Sequence, residues 1–374
     1  MIYFFYYTRN ITGLILLISP LVGFLFIDFS FTLSMVFLCS LAAGMLLGAL
    51  CYDCLNFRLW ICIFCIACSA GAFLLHTGLL SGSGSQTSAL SLIGLAFVGL
   101  YGGSLVSIVP SNILVSWFRA SKAILTGTVL GISLALGTVF GIFMERHTYF
   151  ALIMGLAAMV SGALFFLQQP PLFMGAPIAL NSRLFQSEKR ILTAKILFFM
   201  FSVSFAAGLA LFNPPQAVPF DFFISPQQIF IFGLIAGSVL AGLLSEFKGI
   251  YSSCIFIIFL AEFSVFSPDM GSGVWPQYIH AFFCGMFPAA AAAIIPIAVY
   301  YIYGPDGYNR CLSKVWPALP LGIAAGGSVS EYFRITGAGA LISHQTYSIL
   351  LTILLVACFF TIFSAWKHRF ILLK

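Results

Sequence analysis

Charge is what this sequence has least of: 7% of its 374 residues are Asp, Glu, Lys or Arg, against 61% hydrophobic. Ordinary water-soluble domains carry roughly a quarter charged residues, so a soluble globule is excluded. The formal net charge of +6 therefore does not point to nucleic acid. Long polar stretches are equally scarce, because apolar runs follow one another almost without interruption from Ile11 to Ile362. The short alternating segments of a barrel are also missing. Lipid cannot satisfy backbone amides, so runs this long and this rich in Ala, Leu and Gly must be helices.

Chemistry is thin in the same way. No ionisable residue lies near the centre of any expected span, where proton relays and charged-substrate sites usually place one. No nucleophile with a base and no metal centre stands at membrane depth, so the protein is not expected to be an enzyme and needs no cofactor. A repeated filter or ring of charge, which a channel needs, is lacking. Only Arg9 precedes the first apolar run as a basic residue, and no small-residue cleavage site follows it, so that run is expected to be a retained first span. The ten cysteines sit mostly within apolar runs, where they act as small hydrophobes rather than as a disulfide framework.

What is present is a series of twelve helix-length apolar segments, at about 10–29, 32–52, 58–79, 89–115, 122–143, 148–168, 191–212, 225–245, 250–267, 277–303, 314–333 and 345–365. Ser225-Pro226 carries a start signal, a capping residue followed by Pro at the first helical position. The polar segment 169–190 reads as a cytoplasmic linker between an N-terminal half, 1–168, and a C-terminal half, 191–374. With both termini inside, fourteen of the 16 Lys and Arg fall on the cytoplasmic side, and only Arg146 and Arg334 fall outside. Lys and Arg accumulate in short cytoplasmic loops, so this bias supports both the orientation and the span number.

Arg146 and Arg334 occupy matching loops, before spans six and twelve. Gly99 and Pro110 in span four recur as Gly285 and Pro296 in span ten, 186 positions on, and Ala43-Gly44 before Asp53 recurs as Ala236-Gly237 before Glu246. These landmarks indicate an internal duplication, a common way of building transporters.

With these residues the chain resembles the major facilitator superfamily (MFS) over essentially its full length. The family's loop signature is matched by Gly242, Glu246, Lys248 and Gly249 in the second half. The first-half copy, Gly48, Asp53 and Arg58, has its acid one residue late and lacks the second Gly. The stretch from Gly99 to Gly141 is similar to spans four and five of the family, but it lacks the antiporter Gly-Pro signature and the span-four Arg, so no subfamily is indicated. The resemblance implies an all-α integral membrane protein with twelve transmembrane helices in two pseudo-symmetric six-helix halves. It implies a secondary active or facilitative transporter working by alternating access. Asp53, Arg58, Gly242, Glu246, Lys248 and Gly249 would then form cytoplasmic gates, since an acid at a helix end can pair and unpair as the halves move.

In that fold spans one, four, seven and ten line a central cavity, so polar residues there are substrate-site candidates. Tyr101, Ser104, Ser111 and Asn112 fall within about a 100° arc of span four, opposite Gly99 and Gly103. Ser19, Ser204, Asn213 and His280 are their counterparts on spans one, seven and ten, and Asp28 is the candidate for proton coupling. Such a lining suits a small neutral, zwitterionic or cationic organic solute, because a multivalent anion would need Arg or Lys partners. The expected partners are that solute, the lipid bilayer and a coupling proton or cation, with no nucleic acid. The expected location is the plasma membrane, or bacterial inner membrane, as a multi-pass protein. The alternative is a soft-metal (copper or zinc) or metal-chelate transporter using the row Cys62, Cys65 and Cys68 on span three, near Cys51 and Cys54.

Overall fold

The computed structural model describes residues 2–23, 31–52, 57–81, 89–117, 122–144, 186–211, 226–266 and 274–336, together with Val160, Ile353, Val356, Ala357 and Phe360. Among the described residues ten helices follow in order: α1 (Ile2–Gly23), α2 (Phe31–Tyr52), α3 (Phe57–Ser81), α4 (Ala89–Trp117), α5 (Lys122–Met144), α6 (Gln186–Leu211), α7 (Pro226–Phe247), α8 (Ile250–Phe266), α9 (Val274–Val315) and α10 (Ala318–Thr336). They correspond to expected spans one to five and seven to eleven. Spans six and twelve lie outside the described residues, apart from the five isolated positions. Among the described residues five helices contain stretches long and apolar enough to cross a membrane by length and composition, the longest being Trp275–Tyr300.

These helices are largely apolar on both faces, so large hydrophobic residues stand on the exposed side as well as the buried one. On α3, Ile61, Phe64, Cys65, Cys68, Ala72 and Leu75 are buried, while Leu59, Ile63, Ile66 and Phe73 are exposed. In a bilayer such exposed Leu, Ile and Phe faces meet lipid. Hydroxyls scattered along the helices bond their own backbone, as Thr128 does to Ile124 O at 2.8 Å and Ser328 to Ala324 O at 2.8 Å.

The chain divides into two compact units. The first comprises residues 1–122, 132–177 and 303–320, and the second 123–131, 178–302 and 321–374. Within the first, α4 packs on α2, α3 and α1. A Cβ on Gly44 would collide with Leu100 O, one on Gly103 with Leu41 O, and one on Gly99 with Ser40 Oγ. Backbone against backbone at this distance leaves no room for any side chain. Within the second unit α7 and α9 meet in the same way, through Gly233 against Phe282 O, Gly237 against Met286 O and Gly285 against Phe230 O.

The correspondence extends to individual contacts. A Cβ on Gly99 would lie 2.9 Å from Phe37 O, and one on Gly285 would collide with Phe230 O. Phe37 and Phe230 are 193 positions apart, as are Gly44 and Gly237. The duplicated residues of the sequence thus make duplicated contacts.

Two boundaries differ from the sequence expectation. α9 was expected to end near 303, before Gly304-Pro305, yet it runs on to Val315. Leu312 and Val315 are fully buried, and that burial holds a helix through a Gly-Pro pair that would otherwise end it. The break falls at Trp316-Pro317 instead: Trp316 N–H closes the last turn on Leu312 O at 2.7 Å, and Pro317 has no N–H to continue it. α6 begins at Gln186, inside the polar stretch read as a linker.

Candidate functional site

Span-four candidates sit on α4, whose small residues let three helices approach it. Gly102 receives the Leu21 side chain of α1. Just before it on α1, Ser19 is buried and donates to Ile15 O at 2.6 Å beside Pro20, which itself cannot donate to the helix ladder. Ser104 is fully buried, and its hydroxyl lies 2.7 Å from Gly44 O of α2 and 2.9 Å from Leu100 O of its own helix. A hydroxyl carries one proton, so these carbonyls share it. Tyr101 turns the other way. Its ring packs edge-on to Phe97 at 5.5 Å and tilted against Phe64 of α3 at 5.9 Å, and Phe64 in turn stacks on Trp60 at 4.6 Å. Tyr101 and Ser104 therefore face different neighbours.

In the second unit Ser204 is buried on α6, next to Gly322 of α10, where a Cβ would lie 2.5 Å from the Ser204 Cβ. The Ser204 hydroxyl has no hydrogen-bond partner among the described residues. His280 stands one turn before Cys284 on α9, with Sγ 3.5 Å from Nε2 and 3.6 Å from Nδ1. Asp28, Asp53 and Asn213 lie outside the described residues, and of Asn112 and Arg58 only the helical backbone is described.

The loop signature of the second half has a definite geometry. Glu246, one residue from the end of α7, places Oε2 3.3 Å from the backbone N–H of Ala123, in the first turn of α5. The first N–H groups of a helix have no intrahelical partner and carry the positive end of its dipole, so a carboxylate there is favourable. The approach depends on glycine: a Cβ on Gly242 would lie 2.5 Å from Ala123 O, and one on Gly127 would collide with Ser238 O. Lys248 is exposed, with its N–H on Leu244 O at 2.9 Å, and Gly249 turns the chain into α8 at a φ of 86° that suits glycine. Behind the turn, Ser245 and Ser253 join α7 to α8 by a buried hydroxyl pair at 2.8 Å.

Sequence reasoning did not find Ala123 as the partner of Glu246. The two sides are too distant in sequence for spacing to connect them. The aromatic neighbours of Tyr101 were missed as well, because Phe is too common here for any one to stand out. For the metal alternative there is no support. Cys65 and Cys68 belong to the buried packing face of α3, and among the described residues no three His, Cys, Asp or Glu side chains come together to hold an ion.

No family model matches the sequence, and no curated protein is similar to it in sequence. Two apolar helical units that share one packing scheme define a class, the duplicated multi-pass membrane bundle. Solved structures narrow the class to one fold. A variant of the E. coli fucose:proton symporter FucP superposes with a TM-score of 0.60 at 10% identity, covering 96% of this chain and 98% of that one. The human organic anion transporter MFSD10 (TETRAN) superposes with a TM-score of 0.64 at 15% identity, covering 95% and 98%. The chain has the major facilitator fold.

Proposed function

We propose that the protein is a secondary active or facilitative transporter that moves a small organic solute across a membrane by alternating access of its two six-helix halves, 1–168 and 191–374. The observation that carries this reading is the full-length likeness to two transporters of one fold. That fold serves many unrelated cargoes, and the names of the two neighbours differ accordingly, so neither cargo is carried over. The solute class rests on this chain's own residues: a hydroxyl- and aromatic-rich set suits a neutral, zwitterionic or cationic molecule.

In this reading Ser19, Tyr101, Ser104, Asn112, Ser204, Asn213 and His280 contribute to binding, and Asp28 couples a proton. Ser204 and Tyr101 have the most favourable surroundings. The first is a buried hydroxyl without a partner among the described residues, and the second a half-buried phenol beside other rings. The gates are Gly242, Glu246, Lys248 and Gly249 in the second half, with Asp53 and Arg58 in the first. The Glu246 carboxylate at the start of α5 supports this assignment. The protein lies in the plasma or bacterial inner membrane with both termini cytoplasmic, as its Lys and Arg distribution favours.

The test is thermal unfolding of the purified protein with choline-like cations, amino acids, nucleosides, sugars and organic acids. A solute at a hundred times its dissociation constant stabilises the folded state by about 2.7 kcal/mol. Stabilisation by a neutral, zwitterionic or cationic solute is expected, weakened in Tyr101→Ala and Ser204→Ala. Response to organic acids alone would refute the solute class, and unchanged binding in both variants would refute the site.

A further inference from the structure

The second half carries a short addition that the first half lacks. Gly127 and Gly131, in the second turn of α5, find their counterparts in Gly322 and Gly326, in the second turn of α10, 195 positions on. Gly99 and Pro110 of α4 recur only 186 positions on, in α9. The shift therefore grows by nine residues between these landmarks, and the growth is helix. Trp117, the last residue of α4, corresponds at 186 positions to Tyr303, yet α9 continues for twelve more residues to Val315, about 18 Å.

The addition changes what the helix is packed with. Up to Ile302 α9 belongs to the second compact unit, and residues 303–320 belong to the first. Both sides are firmly held: Ala293, Ile294 and Val299 are fully buried on the near side, as are Leu312 and Val315 on the far side. Between them Gly304, Pro305 and Gly307 crowd the poorest helix formers into four residues. Pro305 has no N–H for the carbonyl of Tyr301, and a proline ring crowds the turn before it. Sharp bends in helices form at such prolines and glycines. The change of packing and the weakest turn thus coincide at residues 303–307, and neither observation depends on the other.

We propose that α9 is a jointed strap: residues 304–307 are a hinge, the arm before it moves with the second unit, and the arm after it stays seated in the first. When the halves move in alternating access, α9 then bends at the hinge instead of pulling Leu312 and Val315 out of their packing. That use rests on the transport reading above. The hinge itself is a property of α9 and needs no solute to be tested.

The experiment is amide hydrogen exchange of the intact protein in detergent micelles, without any solute, because exchange reports local opening. Protection at residues 306–309 is expected to be at least about tenfold lower than at 294–299 and at 312–316, which a continuous rigid helix would not show. Pro305→Ala restores the missing N–H and should raise protection at 306–309 about tenfold to a hundredfold, with 312–316 unchanged. Leu312→Ala should instead lower protection at 312–316. Exchange in α2 and α4 reports whether each variant is folded, and Gly304→Ala/Gly307→Ala replaces Pro305→Ala if that protein is not. Equal protection across 294–316, or protection at 306–309 that neither variant raises, overturns the hinge. Protection at 312–316 as low as at 306–309 overturns the strap, since its far arm would be frayed rather than seated.

Discussion

Glu246 concentrates much of what one residue does in this molecule. Its position near a helix end and beside Lys248 was readable, because an acid followed by a basic residue and Gly is a recognisable spacing. Its partner was not readable, because Ala123 contributes only a backbone N–H and any residue type could have supplied it. The contact at 3.3 Å is long for a hydrogen bond, so the full negative charge near the α5 dipole matters more than the bond itself. Glu246→Gln keeps the shape and the acceptor while removing the charge. It is expected to destabilise this conformation by about 0.3–1 kcal/mol and, in reconstituted vesicles, to change the transport rate more than the apparent substrate affinity. A loss confined to affinity would remove Glu246 from the gate.

Between elements, closeness counts for more than polar bonding. The α2–α4 and α7–α9 pairs share glycine contacts related by the same shifts in sequence, and the first adds a hydroxyl crossing, from Ser104 to Gly44 O at 2.7 Å. Hydrogen bonds between membrane helices average only about 0.6 kcal/mol, because the unfolded chain in a bilayer also finds partners. Forcing a methyl into a packed contact typically costs about 1–3 kcal/mol. Gly44→Ala and Gly237→Ala should therefore each lower stability more than Ser104→Ala, as measured by reversible unfolding in detergent. Equal effects would mean that the hydroxyl, not the glycine seam, holds α2 to α4. The positions of the seam were legible before the structure, since Gly44, Gly99, Gly237 and Gly285 stood out as landmarks of the duplication, but their packing role was not. The length of α9 was not. Gly304-Pro305 is a strong local stop, and only the tertiary burial of Leu312 and Val315 shows why the helix passes through it.

For the whole molecule, hydropathy and duplication made the fold readable from the sequence, because a bilayer imposes helix length and backbone satisfaction on every span alike. The substrate site was far less readable, since hydroxyls such as Ser19 and Ser104 satisfy themselves on nearby carbonyls and look the same in sequence as one that does not, Ser204. Orientation rests on a different physical basis, the placement of fourteen of the 16 Lys and Arg on one side when twelve spans are drawn. Removing or adding a single span would exchange the sides of every later loop and scatter that bias, so a test of sidedness is also a test of span parity. In a bacterial host, green fluorescent protein fused after Lys374 should fluoresce, while alkaline phosphatase fused after Thr336, at the end of α10, should be active. The first reporter matures only in the cytoplasm and the second only outside it. Active phosphatase after Lys374 combined with fluorescence after Thr336 would invert the orientation, and the same sidedness at both points would mean that no span lies between them.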